Sequence, residues 1–431
     1  MRWTARFGLI GDLYYRREIP SFACRTWNWS PTIQVMSAVG SSPIGSVMPI
    51  SGFDLRFNET FDAEAFIPAD LPSNVDLPSS VWLVVSEAMA EVGRLDAAAS
   101  LVPNPQLVTR IATRREAVGT SALEGTYADL TDLFAAEMLP LDEQEADLAP
   151  NVREVMNYTR AADSAYLWIQ DRPITSGMIS SLQAVIVRGT ESDGVDAGSL
   201  RTTQVFIGAK NRRVTEARFI PPPPGDQLSA LYERWVDWLS APEPAERMQL
   251  IVRIALAHYQ FETIHPYTDG NGRLGRLVAV LQFMREGALR SPVLSVSPWL
   301  KDHADEYRDH LLAVSRTGDW APWVEFFAHA VCAEARAGHD RIMRLLALRD
   351  EIGEAVRSAL PRARLAVEIA DDLIAYPILT VAAAQGRYGR TNQANRNAIT
   401  TLAELGILEP YGEALYDRMF WNRRVFQVID S

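Results

Sequence analysis

At 431 residues the chain is longer than one core usually fills, which predicts two or three domains. A formal net charge of -12 argues against non-specific binding to nucleic acid or to an anionic membrane, because a negative field repels both. Cys24 and Cys332 are the only cysteines, so neither a disulfide framework nor a cysteine-rich zinc site is available. That usage suits a reducing cytosol, and with no apolar run of ~18 residues a soluble cytoplasmic chain without membrane partners is expected.

In chain order, residues 1–52 read as a disordered or loosely attached extension. Asp12 and Arg16 to Glu18 interrupt every candidate signal core, and internal Met36 and Met48 leave a later translation start open. Residues 53–80, acidic and spotted with Pro68, Pro72 and Pro78, read as a connector with little regular structure. Helical periodicity then predicts a helix over 81–99, broken by Pro103 and Pro105, and a second over 106–123. That second helix ends in Thr120-Ser121-Ala122-Leu123-Glu124-Gly125. Gly125 suits the left-handed residue that closes a helix, and Glu124 reads either as a solvated acid or as one that needs a cation, since it faces the negative end of the helix dipole.

Further helices are predicted over 127–138, 151–170 and 174–187, followed by a Gly/Asp/Ser-rich loop over 188–200. The period then changes. Gln204, Val205, Phe206, Ile207 and Gly208, a turn at Ala209-Lys210-Asn211, and Val214 to Ile220 read as two short strands closed by Pro221 to Pro224, a hairpin alone in an otherwise helical chain. By itself it is either surface decoration or a free strand edge for an extended peptide. Helices over 226–241 and 244–263 follow, the latter apolar on nearly every side and therefore central. The body closes with helices over 302–315, 320–337 and 339–359. The scattered His258, His303, His310, His329 and His339 read as packing or surface residues. Past Pro361, residues 376–431 read as helix, turn, helix and a two-stranded wing ending in a strand at Arg424 to Val428, with Thr391 and Asn392 as caps. DNA contact is possible there but not favoured, because the arginines are nearly balanced by acids; docking to protein or a homo-oligomer contact is preferred.

The chain is organised around His265-Pro266-Tyr267-Thr268-Asp269-Gly270-Asn271-Gly272-Arg273-Leu274-Gly275-Arg276, which runs into an apolar helix. A helix N-terminus offers unpaired N–H groups and a favourable dipole end to polyphosphate. Gly270 and Gly272 permit close approach, Asn271 supplies an amide, and Arg273 and Arg276 supply charge. An acid in such a turn makes sense as a ligand of Mg²⁺ bridging carboxylate and phosphate, which points to Asp269. His265, on the entry side, could accept a proton from an attacking hydroxyl.

This stretch is similar to the signature of the Fic (filamentation induced by cAMP) family, His-Pro-Phe-x-[Asp/Glu]-Gly-Asn-Gly-Arg-x-x-Arg, departing from it only at Tyr267. The resemblance covers most of residues 66–340. It implies an all-helical Fic core with the hairpin as its flap; together with the C-terminal winged helix-turn-helix read above, a mainly α chain is expected, divided into the extension 1–52, an N-terminal helical region 53–130 with the inhibitory helix, the Fic core 131–340, a connecting helix 341–375 and the winged-helix-like module 376–431. It implies transfer of AMP from ATP to a Ser, Thr or Tyr hydroxyl of a protein, with His265 as base and Asp269 on Mg²⁺. Gly270, Asn271 and Gly272 would then nest the phosphates, Arg273 would clamp them, Arg276 would meet the γ-phosphate end, and the flap around Gln204 to Ile220 would align the target. Thr120 to Gly125 also fits the family's inhibitory pattern, [Ser/Thr]-x-x-x-Glu-[Gly/Asn], so Glu124 is expected to pair with Arg276 where the γ-phosphate would lie. Self-AMPylation, removal of AMP, use of another nucleotide, and a nucleotide-sensing DNA-binding regulator stay open as alternatives.

Overall fold

The computed structural model describes residues 33–34, 42–55, 57–102, 104–139, 148–208, 213–412 and 418–431. Most of the expected N-terminal extension lies outside them. Where it is described, the chain is not a connector: β2 (Gly45–Asp54) and β3 (Glu59–Pro68) form an antiparallel hairpin, paired from Gly45 opposite Pro68 to Asp54 opposite Glu59. The short β1 (Ile33–Gln34) runs parallel to β3 on its other side, so β2 is an edge of this sheet and tolerates Pro49. Phe61, Ala63 and Ala65 alternate inward along β3. Two of these three are alanines, too small to make the period of two conspicuous in the sequence.

The helical body follows. Helix α1 (Ser79–Ser100) precedes α2 (Gln106–Leu123), α3 (Leu130–Ala136), α4 (Pro150–Trp168) and α5 (Ser176–Val187). Next come α6 (Asp226–Leu239), the short α7 (Pro242–Arg247), α8 (Leu250–Ile264), α9 (Asn271–Arg285), α10 (Ser297–Asp302) and α11 (Ala304–Thr317). As its composition predicts, α8 is central: Ile251, Ile254, Ala255, Leu256, Tyr259 and Phe261 are fully buried, and its two sides contribute to two separate core clusters.

The helices expected over 320–337 and 339–359 are one helix, α12 (Ala321–Ala359, 39 residues). It continues through Gly338, which faces α1: a Cβ there would stand 3.2 Å from Leu95 Cδ1. The helix-interior glycine, a loss of ~1 kcal/mol against alanine, lets two long helices approach closely, so tertiary packing overrides the breaker. Trp323 anchors α12 on α8, its indole N–H donating to Ala255 O at 2.8 Å.

After α13 (Arg364–Asp372), which lies within the expected connecting region 341–375, come β4 (Ile378–Leu379), α14 (Val381–Tyr388), α15 (Asn392–Glu404), β5 (Glu409–Tyr411), β6 (Met419–Trp421) and α16 (Arg423–Ile429). The sheet order β4-β6-β5 flanks the helix pair, and Thr391 caps α15 by accepting from Ala394 N at 3.2 Å. The strand expected at Arg424 to Val428 is instead helix α16, started by Asn422 Oδ1 accepting from Val425 N at 2.9 Å. Its buried residues are Val425, Phe426 and Ile429, a helical face, and Phe426 meets Phe134 of α3 edge-on. Among the described residues no helix is long and apolar enough to cross a membrane.

Candidate functional site

The site begins where α8 stops. His265 closes the helix at φ 48° and ψ 62°, its N–H still bound to Phe261 O at 2.9 Å. A left-handed histidine stores strain of order 1 kcal/mol and turns the chain sharply out of the helix. Pro266 follows, and Tyr267 drives its ring fully into the core, with its hydroxyl 3.0 Å from Tyr232 Oη and 3.2 Å from Ser180 Oγ. The extra hydroxyl that tyrosine carries relative to phenylalanine is therefore hydrogen-bonded. Gly270, at φ 81°, delivers the chain into α9, packed so closely on Ile186 that a Cβ would lie 3.2 Å from its methyl.

Asn271 departs from the sequence reading. Its Oδ1 accepts from Tyr267 N at 2.9 Å and its Nδ2 donates to Tyr267 O at 2.8 Å. Both ends of the amide are used to fix the turn, so what the residue offers an anion is its main-chain N–H at the start of α9.

The two arginines diverge. Arg273 reaches Asp269 and Glu154 of α4, each at 3.3 Å, and Glu154 also accepts from Thr126 Oγ1 at 2.8 Å. Asp269 accepts from Ser192 Oγ at 2.8 Å and from Gly270 N at 2.6 Å, and its side chain is 43% exposed. Arg276 reaches α2 instead. Its Nε donates to Thr120 Oγ1 at 2.6 Å, and Nη2 donates to Thr120 O at 3.1 Å and to Glu124 Oε1 at 2.6 Å. A Cβ on Gly272 would collide with that same Glu124 oxygen, so the carboxylate lies against the first turn of α9, where an anion is favoured. Although burial opposes ionisation, Arg276 holds the Glu124 carboxyl below its usual range. Gly125, at φ 91°, closes α2 behind it.

Glu124, Gly272, Arg276, His265 and Glu262 line one cavity of about 140 Å³, together with Tyr307, Arg308, Ile207, Arg218 and Phe219. Burial, reinforced by the charge of Arg201, lowers the His265 imidazole to about 4, so the ring is neutral at neutral pH. Burial likewise pushes the Glu262 carboxyl up to about 8; Arg276 opposes the shift and Glu124 adds to it.

The expected hairpin over 204–220 is less regular than two strands. One bridge joins Ile207 to Phe219, with Ile207 N to Phe219 O at 2.9 Å and Arg218 N to Ile207 O at 2.8 Å, and Val214–Glu216 form a single helical turn. The expected turn at Ala209 to Asn211 lies outside the described residues. Nor does the segment stand alone. Phe206 meets Phe61 edge-on, Phe219 meets Phe66, and Phe66 N donates to Ile220 O at 2.9 Å, so the N-terminal hairpin backs it. Gln204 Nε2 ties its base to Pro221 O at 3.0 Å, and Val205 and Gly208 lie on the irregular stretch either side of the bridge residue Ile207.

Residues 82–167 match the Fic/DOC family N-terminal pattern, and residues 173–283, which contain the whole turn, match the Fic/DOC family pattern. Over these two stretches the chain is similar to the Fic/DOC family. Over 136 residues it is 40% identical to a protein adenylyltransferase Fic of Culex quinquefasciatus, covering 32% of this chain and 24% of that protein. Over 209 residues it is 35% identical to one of Drosophila grimshawi, covering 48% of this chain and 38% of that protein. The chain thus spans well under half the length of these relatives. The fold is similar to the crystal structure of a Fic family protein from Desulfovibrio desulfuricans G20, with a TM-score of 0.51 and 20% identity over 82% of this chain and 98% of that one.

Three residues of this site escaped the sequence reading. Glu154 and Arg201 carry no local signal, because each meets the turn only through tertiary folding. Glu262 had one: it stands three residues before His265, one helical turn away on the same face.

Proposed function

We propose that this Fic protein is a protein adenylyltransferase held at rest by Glu124. The observation that carries the reading is the lodging of the Glu124 carboxylate on Arg276 and the first turn of α9, in one cavity with the neutral His265. A carboxylate occupies there the place suited to a terminal phosphate of ATP. In the reaction, a Ser, Thr or Tyr hydroxyl of a target protein attacks the α-phosphorus. The new O–P bond forms as the bond to the β-phosphate bridge breaks, pyrophosphate leaves, and the hydroxyl proton passes to His265. Phosphate charge beside the imidazole raises its pKa from the low value of the free site and makes it a better acceptor.

Gly270, Asn271 and Gly272 bind phosphate through main-chain N–H groups, Arg273 neutralises it once released from Asp269 and Glu154, and Arg276 holds the γ end. Mg²⁺ is supported by the donor chemistry: Asp269 is a half-exposed carboxylate at the phosphate turn, and Mg²⁺ typically takes one or two carboxylates together with substrate phosphates and water. When bound, it would offset charge on the phosphates. Gln204 to Gly208 supply the strand that aligns the target.

The test is incorporation of labelled AMP from ATP and Mg²⁺, into the protein itself and into lysate proteins. Glu124→Gly is expected to raise it and His265→Ala in that background to abolish it. No incorporation by Glu124→Gly with ATP, together with transfer from another nucleotide or release of AMP from a modified target, would replace this reading.

A further inference from the structure

Arg201 is a fully buried arginine, 2% exposed, and among the described residues its partners are all main-chain carbonyls. Its Nε donates to His265 O at 2.8 Å, Nη1 to Thr203 O at 3.2 Å, and Nη2 to Pro222 O and, at 3.5 Å, to Ile264 O. Its own N–H donates to Pro266 O at 2.9 Å. A buried guanidinium with no carboxylate partner is costly, so its placement needs a reason. Ile264 and His265 end α8, where unpaired carbonyls carry the negative end of the helix dipole. Thr203 and Pro222 are the two feet of the flap.

We infer that Arg201 is a positioning residue for His265: its planar fork caps the carbonyl end of α8, holds the left-handed turn that presents the imidazole, and straps both feet of the flap to that turn. The inference rests on the transferase reading for its kinetic consequence, though its geometry does not. One side chain thereby fixes the base relative to the strand that presents the target hydroxyl. It also places a positive charge on the carbonyls that would otherwise favour the imidazolium. Of the other charged groups around the ring, Glu124 from α2 and Asp269 from the turn favour the imidazolium, Glu262 on α8 is held neutral by burial, and Arg276 lies across the cavity with Arg218 and Arg308.

The experiment uses the full chain with ¹⁵N-labelled histidine. In the native protein the His265 ring should titrate near 4, and Arg201→Gln should move it up by at least about one pH unit toward the free value of about 6.5. In the Glu124→Gly background, Arg201→Gln should shift the acid limb of AMP transfer upward and lower kcat at least tenfold, with KM for ATP changed less than threefold. Arg201→Lys, which keeps charge but loses the fork, should leave the titration low and still lower kcat; it decides the matter if Arg201→Gln fails to fold. Unmoved titration in Arg201→Gln, or unchanged kcat in Arg201→Lys, overturns the inference. An inactive Glu124→Gly parent would instead sink the transferase reading and leave the ring titration to judge Arg201.

Discussion

Arg276 Nη2 and Glu124 Oε1 stand 2.6 Å apart, and the carboxylate they position lies where a side chain on Gly272 would have to go. One guanidinium thus joins α2, through Thr120 and Glu124, to the anion-binding start of α9. On the proposed reading, a phosphate that reaches Arg276 must first displace Glu124. Glu124→Gln, which keeps the shape and removes the charge, should tighten binding of a non-hydrolysable ATP analogue. A coupling of ~1 to 3 kcal/mol corresponds to a 5- to 150-fold change in Kd, measurable by calorimetry. An unchanged Kd would mean that Glu124 does not compete with nucleotide.

Thr120 is the second hold on Arg276, through its hydroxyl and its carbonyl. Thr120→Val removes the hydroxyl and leaves a buried charged donor one partner short, a loss of ~1.5 to 3 kcal/mol for a hydrogen bond to a charged group. AMP incorporation should rise above the native level yet stay below that of Glu124→Gly, since the Glu124 contact persists. A rate equal to native would show that the hydroxyl takes no part in restraint.

Gly272→Ala separates obstruction from restraint. The added methyl must expel Glu124, and it also covers the main-chain N–H groups that phosphate would approach. Incorporation should therefore stay at or below background in both the native and the Glu124→Gly chains. Activation like that of Glu124→Gly would show that phosphate does not approach this turn.

Glu262 predicts a pH dependence of stability. Its folded pKa, about 8, lies above its ordinary carboxylate value. The folded state therefore binds the extra proton, and stability is highest below the unfolded pKa of about 4.3 and falls as pH rises through 8. Glu262→Gln should remove that slope, so that its Tm gain over the native protein grows between pH 5 and pH 8 in a thermal melt series. A parallel pair of Tm curves would place the carboxylate in solvent.

Phe66 of β3 is 1% exposed and packs on Phe219, which lines the cavity. Phe66→Ala should cost about 3 to 5 kcal/mol locally. Amide exchange should accelerate over 205–208 and 213–220 well before it does in α8. Uniform acceleration across the chain would show instead that the N-terminal hairpin supports the whole body rather than the flap.

Much of this site was legible in one dimension, and for a reason. His265 to Arg276 are contiguous, and a turn between two helices brings its own residues together whatever the rest of the chain does. The cap at Gly125 and the apolar girth of α8 are equally local, since both follow from backbone conformation and periodicity. The β2–β3 hairpin was missed because alanines mute its alternation, and α12 was cut at Gly338 because a glycine's helix cost is visible locally while the packing of Leu95 against it is not. Arg424 to Val428 became a helix because its buried face is chosen by Phe134, far upstream in α3, against which Phe426 packs. The sequence by itself therefore determined the turn between α8 and α9 and the kinds of groups it offers. Only the tertiary structure decided that Arg276 faces Glu124 while Arg273 faces Glu154, that the Asn271 amide is spent on Tyr267, and that Arg201 caps α8: each is a contact between segments far apart in the chain, fixed by how helices pack rather than by what stands next to what.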